Sequence, residues 1–255
     1  MIGLSEDQRV RFEHEGYLII PQLASAELIE QIRELTQKHL EQRVEPLEYE
    51  ADVHYPGAPE TRQEQGGMTV RRLRGAITRD PLFQQWVTSD PVVKCLHQLL
   101  GPDVCCPMAH HNCVMTKQPS YSSDTGWHQD IRYWAYSRPE LISLWLALGE
   151  ETPQNGCLQV IPGSHRMSFD PGRYDEAKFL RTDLEENQQL INSAVLCELK
   201  PGDALFFHCK LFHAASRNYT QESKLATVMT FRSLDNSPLP GSRSAAEAEL
   251  LLPRG

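Results

Sequence analysis

Apolar positions follow a helical period through the first hundred residues and a strand period after them. "SEDQRVRFEHEG" predicts a short helix, with Ser5 as N-cap, Gln8 three residues on and Gly16 as the stop. "YLIIP" then reads as a strand. In "SAELIEQIRELTQKHLEQRV", Leu28, Ile29, Ile32, Leu35 and Leu40 recur at helical spacing behind a Ser25 cap. Residues 45–68, rich in Pro, Gly and charge, are expected to form a long loop. "DPLFQQWVTS" and "DPVVKCLHQLLG" predict two more helices. Each opens on Asp as cap and Pro at the first helical position, and Gly101 closes the second.

From about residue 104 the texture becomes short β-like runs between turns. "VCCPMAHHNCVMTK", "LISLWLALG", "GCLQVIPG", "AVLCELKPGD", "ALFFHCKLFHAAS" and "LATVMTFRS" are the strand candidates, and Asn155-Gly156, Pro162-Gly163 and Pro201-Gly202-Asp203 mark turns. Residues 166–192 read as a polar insertion or lid, and the chain after Leu234 as a loosely ordered tail. The expected fold is mainly β with flanking helices: a double-stranded β-helix (jelly roll, cupin-like) core behind N-terminal α-helices. The expected organisation is one domain over 1–255, helical to 103, with a core of about 104–234 and a tail over 235–255.

The 255 residues, 40% of them apolar, can bury a sizeable core. A net charge of −9 weighs against nucleic acid as a partner. Seven cysteines without paired spacing suggest a reduced, intracellular protein and neither a disulfide scaffold nor a zinc ribbon. With no signal-peptide core at the N-terminus and no apolar run of membrane-spanning length, the expected location is cytoplasmic.

Chemistry concentrates at "WHQD". His128 and Asp130 are good metal ligands two residues apart, but two ligands hold a catalytic metal poorly. The histidine-bearing "FFHCKLFHAASRN" can supply a third, because a jelly roll sets distant strands side by side. Two imidazoles and one carboxylate on one face of a metal leave the other face open, which suits non-haem Fe(II). His208 and His213 are both candidates. Their odd separation would place them on opposite faces of one regular strand, but the strand is expected to bend or end near Lys210, so parity leaves both open. His110, His165 and His208 also have a plainer reading as core or loop histidines. Glu150 and Glu151 are read as ending a strand in solvent.

The blocks "WHQDIRYW", "WLALGEETPQNGCLQVIPGSHR" and "KPGDALFFHCKLFHAASRN" resemble, in order and spacing, the phytanoyl-CoA dioxygenase family of Fe(II)- and 2-oxoglutarate-dependent oxygenases. The resemblance spans roughly residues 5 to 235. It implies iron ligands at His128, Asp130 and His213, with 2-oxoglutarate and O₂ as co-substrates, and an enzyme that releases succinate and CO₂ as it hydroxylates an unactivated C–H bond. An Asp at 130, where related halogenases carry a small residue, implies hydroxylation. The basic residue that family members place after the last histidine falls on Lys224, a lysine where arginine is typical, with Arg217 and Arg232 as fallbacks. The family's small polar residue two positions after that histidine is replaced by Ala215, with Ser216 one step on. His111 and Met115 are expected to line the co-substrate pocket from one strand face, and Trp145 to stand near the metal.

The substrate is less legible. Arg71, Arg72, Arg74 and Arg79 crowd one short stretch and, with Trp134 beside the motif, could wall the mouth of the site. That points to a small polar or anionic metabolite, such as a carboxylated sugar, an amino-acid derivative or an acyl conjugate. A solvated basic face is the plainer reading of the same arginines. Two rival readings remain at this stage: a non-catalytic jelly-roll binding or sensor protein, and an iron dioxygenase that does not use 2-oxoglutarate.

Overall fold

The computed structural model describes residues 3–254. Helix α1 (Glu6–Glu15) carries the expected capping box: Ser5 accepts from the Gln8 amide, and the Gln8 side chain accepts from the Ser5 amide at 2.8 Å. It ends on Gly16 in the left-handed region. Strand β1 (Tyr17–Ile20) and helix α2 (Ala26–Glu41, capped by Ser25) follow. Strand β2 (Leu47–Tyr49) lies inside the segment expected to be loop, so part of it is sheet, and β3 (Val70–Arg74) follows it. Helices α3 (Ala76–Arg79), α4 (Pro81–Val87) and α5 (Asp90–Leu100) complete the helical half. Asp80 caps α4 as expected. In α5 the cap is Ser89, and Asp90 is the first helical residue.

The strands after residue 103 are β4 (Val104–Pro107), β5 (Asn112–Lys117), β6 (Thr125–His128), β7 (Leu141–Ala147), β8 (Leu158–Val160), β9 (Val195–Cys197), β10 (Ala204–His208), β11 (His213–Ala215), β12 (Lys224–Ser233) and β13 (Glu249–Leu251). Helix α6 (Glu185–Ile191) lies between β8 and β9. The larger sheet runs β1-β10-β7-β12-β5-β3-β2, with β4 paired to β12 and β13 to β4. The smaller runs β6-β11-β8-β9. All pairings are antiparallel. This is the expected mainly-β jelly roll with helices on one face.

Alternation along the strands assigns each face. Leu144, Leu146, Phe206, Met229 and Phe231 turn outward and pack against Ile29, Ile32, Phe83, Trp86 and Leu96 of the helices. Trp145, Leu205, Phe207, Ala226 and Val228 turn inward, toward Leu158, Val160 and Ala215 of the smaller sheet. The catalytic-type side chains therefore sit between the sheets, while the helices cover the far side of the larger one.

Three expectations change. The run 104–117 divides into β4 and β5, interrupted by residues 108–111. Residues 166–192 contribute Phe169, Tyr174, Leu180, Leu190 and Ile191 to an apolar cluster with Trp127, Ile161 and Phe212, so the insertion is packed onto the smaller sheet. The tail is also packed. β13 pairs with β4, and Arg232 Nε donates to Glu249 Oε1 at 2.8 Å while its Nη1 caps the carbonyls of Ser233, Leu234 and Asn236.

Candidate metal centre and adjoining pocket

Pairing of β6 with β11 sets His213 directly opposite His128. Their rings stand 4.2 Å apart, centroid to centroid. The chain then turns after His128 and brings Asp130 under both rings. His128 Nε2 is 3.8 Å and His213 Nε2 3.6 Å from the same atom, Asp130 Oδ1. The donor atoms of all three residues lie within 4.8 Å of one another, and all three side chains are buried.

Neighbouring groups fix which atoms face inward. His128 Nδ1 donates to the Gly126 carbonyl at 2.8 Å, and His213 Nδ1 to the Leu211 carbonyl at 3.0 Å. Each Nε2 is thereby left as the lone-pair atom. Ser143 Oγ donates to Asp130 Oδ2 at 3.0 Å, with His111 Nδ1 3.5 Å from the same oxygen. Asp130 Oδ1 has no donor at all, although the residue is fully buried. A buried carboxylate oxygen without a partner is costly unless a cation completes it. Two imidazole lone pairs and that oxygen converge on one point, a donor set suited to a divalent first-row metal. Burial acts to raise the Asp130 carboxyl, but the imidazoles of His111, His213 and His128 and the Ser143 hydroxyl outweigh it and hold it below the ordinary range. Burial, with His213 alongside, pushes His128 well below the ordinary histidine value, so it is neutral and able to ligate.

His208 is not part of this group. It lies against His165 at 5.2 Å, and its Nδ1 accepts from the Lys210 amide, so the structure separates the two late histidines that parity left open. His110 pairs with Ser244 and His165 with the Glu13 carbonyl, as core and loop histidines do.

A cavity runs from His128 and His213 between the sheets to Lys117 and Lys224. His111, Met115 and Trp145 line it, and so do Arg71 and Arg72. Lys224 shares its inward face with Ala226 and Val228. Its Nζ donates to Glu151 Oε2 at 2.8 Å, and Trp145 Nε1 donates to Glu151 Oε1 at 2.6 Å. Glu151 is thus buried beneath the pocket, 1% exposed, instead of ending a strand in solvent. Ser216 stands outside the lining: its carbonyl accepts from Lys117 Nζ. Arg217 is paired with Asp124 and Arg232 with Glu249, so neither fallback reaches the cavity.

Lys117 was missed by sequence reasoning. It lies two residues after Met115 on the same strand face, so alternation from His111 and Met115 could have found it. Its Nζ also donates to the Ser123 carbonyl at 3.1 Å, and burial, then the nearby Lys224 and Arg71, pushes it down to about 7. Gly156 makes the Ser216 carbonyl's position possible. Its φ of +77° is left-handed, and a Cβ there would lie 2.2 Å from that oxygen.

On the other side of His111 and His128 a wider cavity opens, lined by Glu48, Arg72, Arg74, His110, Tyr133 and Trp134 among others. Of the arginine cluster, Arg71 is drawn inward to Glu50 (3.1 Å) and Thr125 (3.0 Å), and Arg72 to Glu48 (3.3 Å). Arg74 lines the outer cavity only, and Arg79 caps the carbonyls of Arg74, Val44 and Pro46.

The family model described as phytanoyl-CoA dioxygenase (PhyH) matches residues 12–226. Human peroxisomal phytanoyl-CoA dioxygenase is 27% identical over 245 residues, covering 91% of this chain and 69% of that one. L-proline trans-4-hydroxylase of Streptomyces griseoviridis is 24% identical over 252 residues, covering 91% and 88%. Among solved structures, EctD from S. alaskensis with 2-oxoglutarate and 5-hydroxyectoine superposes with a TM-score of 0.77 at 22% identity, covering 99% of this chain and 88% of that one. The same enzyme with bound Fe gives 0.77 at 21%, with the same coverage.

Proposed function

This chain belongs to the phytanoyl-CoA dioxygenase family of Fe(II)- and 2-oxoglutarate-dependent oxygenases, and on that premise we propose that it hydroxylates an unactivated C–H bond of a small polar or anionic metabolite. His128, Asp130 and His213 would hold the iron. The observation that carries this assignment is Asp130 Oδ1, buried without a donor and faced by two imidazole Nε2 atoms. The chemistry supplied by iron in such a site is O₂ activation, one oxygen atom going to 2-oxoglutarate as it becomes succinate and CO₂ and the other to the substrate C–H bond.

The chain's own residues do the positioning. The Gly126 and Leu211 carbonyls fix both imidazoles in one tautomer, and Ser143 anchors the carboxylate. The cavity toward Lys224 suits a co-substrate with a second carboxylate, since cations and Trp145 close its far end. Phe207, Leu158 and Val228 supply apolar walls that exclude water there. The outer cavity suits the substrate. Arg74 offers a cation, the Arg72–Glu48 pair a mixed-charge edge, and Trp134 and Tyr133 flat faces, a lining for a small charged molecule. Relatives named for L-proline and ectoine fall in that size class and those named for phytanoyl-CoA do not, so the reading rests on the cavity lining.

The direct test is O₂-dependent conversion of 2-oxoglutarate to succinate with added Fe(II), measured with a panel of small metabolites. His128→Ala and Asp130→Ala are each expected to lower turnover by about 100-fold or more. Full turnover in either variant would refute the ligand assignment.

A further inference from the structure

Apart from Asp130, which the metal would take up, the buried charges around the inner cavity pair off with one exception. Arg71 meets Glu50 at 3.1 Å, Arg72 meets Glu48 at 3.3 Å, and Lys224 meets Glu151 at 2.8 Å. Asp124, the remaining carboxylate whose field reaches Lys117, is taken by Arg217 at 2.9 Å. Lys117 has only the carbonyls of Ser123 and Ser216. Its residue is 7% exposed and lines the cavity. A buried ammonium held by dipoles alone is destabilised relative to one facing an anion. Lys117 is thus a cavity-lining cation with no carboxylate beside it, and an anion entering the cavity would supply one.

We infer that Lys117 is the residue that takes the distal carboxylate of 2-oxoglutarate, and that Lys224, already neutralised by Glu151, positions the Trp145–Glu151 side of the pocket instead. This rests on the reading of the chain as a 2-oxoglutarate-dependent enzyme, and it changes which cation does the binding. Entry of one carboxylate pairs the last free charge without breaking the Lys224–Glu151 bridge. Anchoring by Lys224 alone would set the incoming carboxylate beside Glu151 and leave Lys117 without a counter-charge. Serine contacts support the assignment. The Ser123 carbonyl holds Lys117 while its hydroxyl bridges Arg71 and Glu50, at 2.6 and 2.7 Å. The incoming carboxylate thus meets a pre-ordered ammonium, which limits the entropy lost on binding.

The test compares two ligands on the Mn(II)-loaded full chain, without turnover, by calorimetric titration. 2-Oxoglutarate carries the distal carboxylate and 2-oxopentanoate lacks it. The wild type is expected to prefer 2-oxoglutarate strongly. Lys117→Gln keeps an N–H for the two carbonyls and removes the charge, and it should cut that preference by about tenfold or more while leaving 2-oxopentanoate binding unchanged. Lys117→Met serves as the second variant if the glutamine does not fold. Adding Glu151→Gln to either should restore part of the preference, because it releases the Lys224 ammonium. An unchanged preference, or equal loss for both ligands, overturns the inference. If the wild-type protein does not bind 2-oxoglutarate at all, the functional reading itself fails.

Discussion

Each ligand of the candidate metal centre is aimed by a partner that is not itself a ligand, and Ser143 is the most exposed to test. Its hydroxyl is the one hydrogen-bond donor to the Asp130 carboxylate, reaching Oδ2 at 3.0 Å from the inward face of β7. Removing it leaves the far oxygen with only the His111 ring at 3.5 Å, so the carboxylate is free to rotate Oδ1 away from the two imidazoles. Ser143→Ala is expected to weaken Mn(II) binding by about 10–100-fold, read by electron paramagnetic resonance, with little change in urea stability. Equal affinity would show that packing alone orients Asp130. The same comparison explains what could be read at this scale. His128 and Asp130 announce themselves by spacing, and His213 by a strand block that resembles relatives. Glu151 does not. Whether a carboxylate after a strand lies in solvent or beneath a pocket depends on Trp145 and Lys224, and only the folded sheet brings the second of these to it.

Among the elements, the helices of the first half were the most legible, because caps and stops are local. Ser5, Gly16, Ser25 and Asp80 each do what their position suggests. β13 was not legible, because its pairing partner β4 lies far away in sequence and three strand residues leave no pattern of their own. Its role follows from Arg232. That guanidinium is buried on β12 and depends on Glu249 of β13 for its counter-charge. Breaking a buried pair from one side strands the other charge. Glu249→Ala is expected to destabilise the protein by about 2–4 kcal/mol in urea unfolding, discounted from the fully buried case because Glu249 is 22% exposed. Glu249→Ala/Arg232→Met should recover much of that loss. A single variant with wild-type stability would mean that the tail contributes nothing beyond its main-chain pairing.

For the whole molecule, function and stability meet at the site between the sheets. The larger sheet is braced on its outer face by the helices, whereas the smaller sheet, which carries both histidines, consists of short strands covered by the packed insertion. Phe179 of that insertion lies edge-on to the His128 ring at 5.6 Å. No helix among the described residues is long and apolar enough to cross a membrane. Asp130 Oδ1 has no hydrogen-bond donor and Lys117 no carboxylate partner, and a metal and a dicarboxylate would complete one each. Ligands that bind only the native state raise its stability by linkage, about 2.7 kcal/mol at a hundred times the dissociation constant. For a chain of this size that corresponds to a rise in melting temperature on the order of 5–10 °C. Mn(II) alone should therefore raise the midpoint in a scanning experiment, and 2-oxoglutarate should add to it only when Mn(II) is present, because the keto acid chelates through the metal. Chelation with EDTA should reverse both steps. His213→Ala should abolish the metal shift, and with it the dependence on 2-oxoglutarate. A 2-oxoglutarate shift that survives in His213→Ala would separate the dicarboxylate pocket from the metal centre and detach the co-substrate reading from the triad.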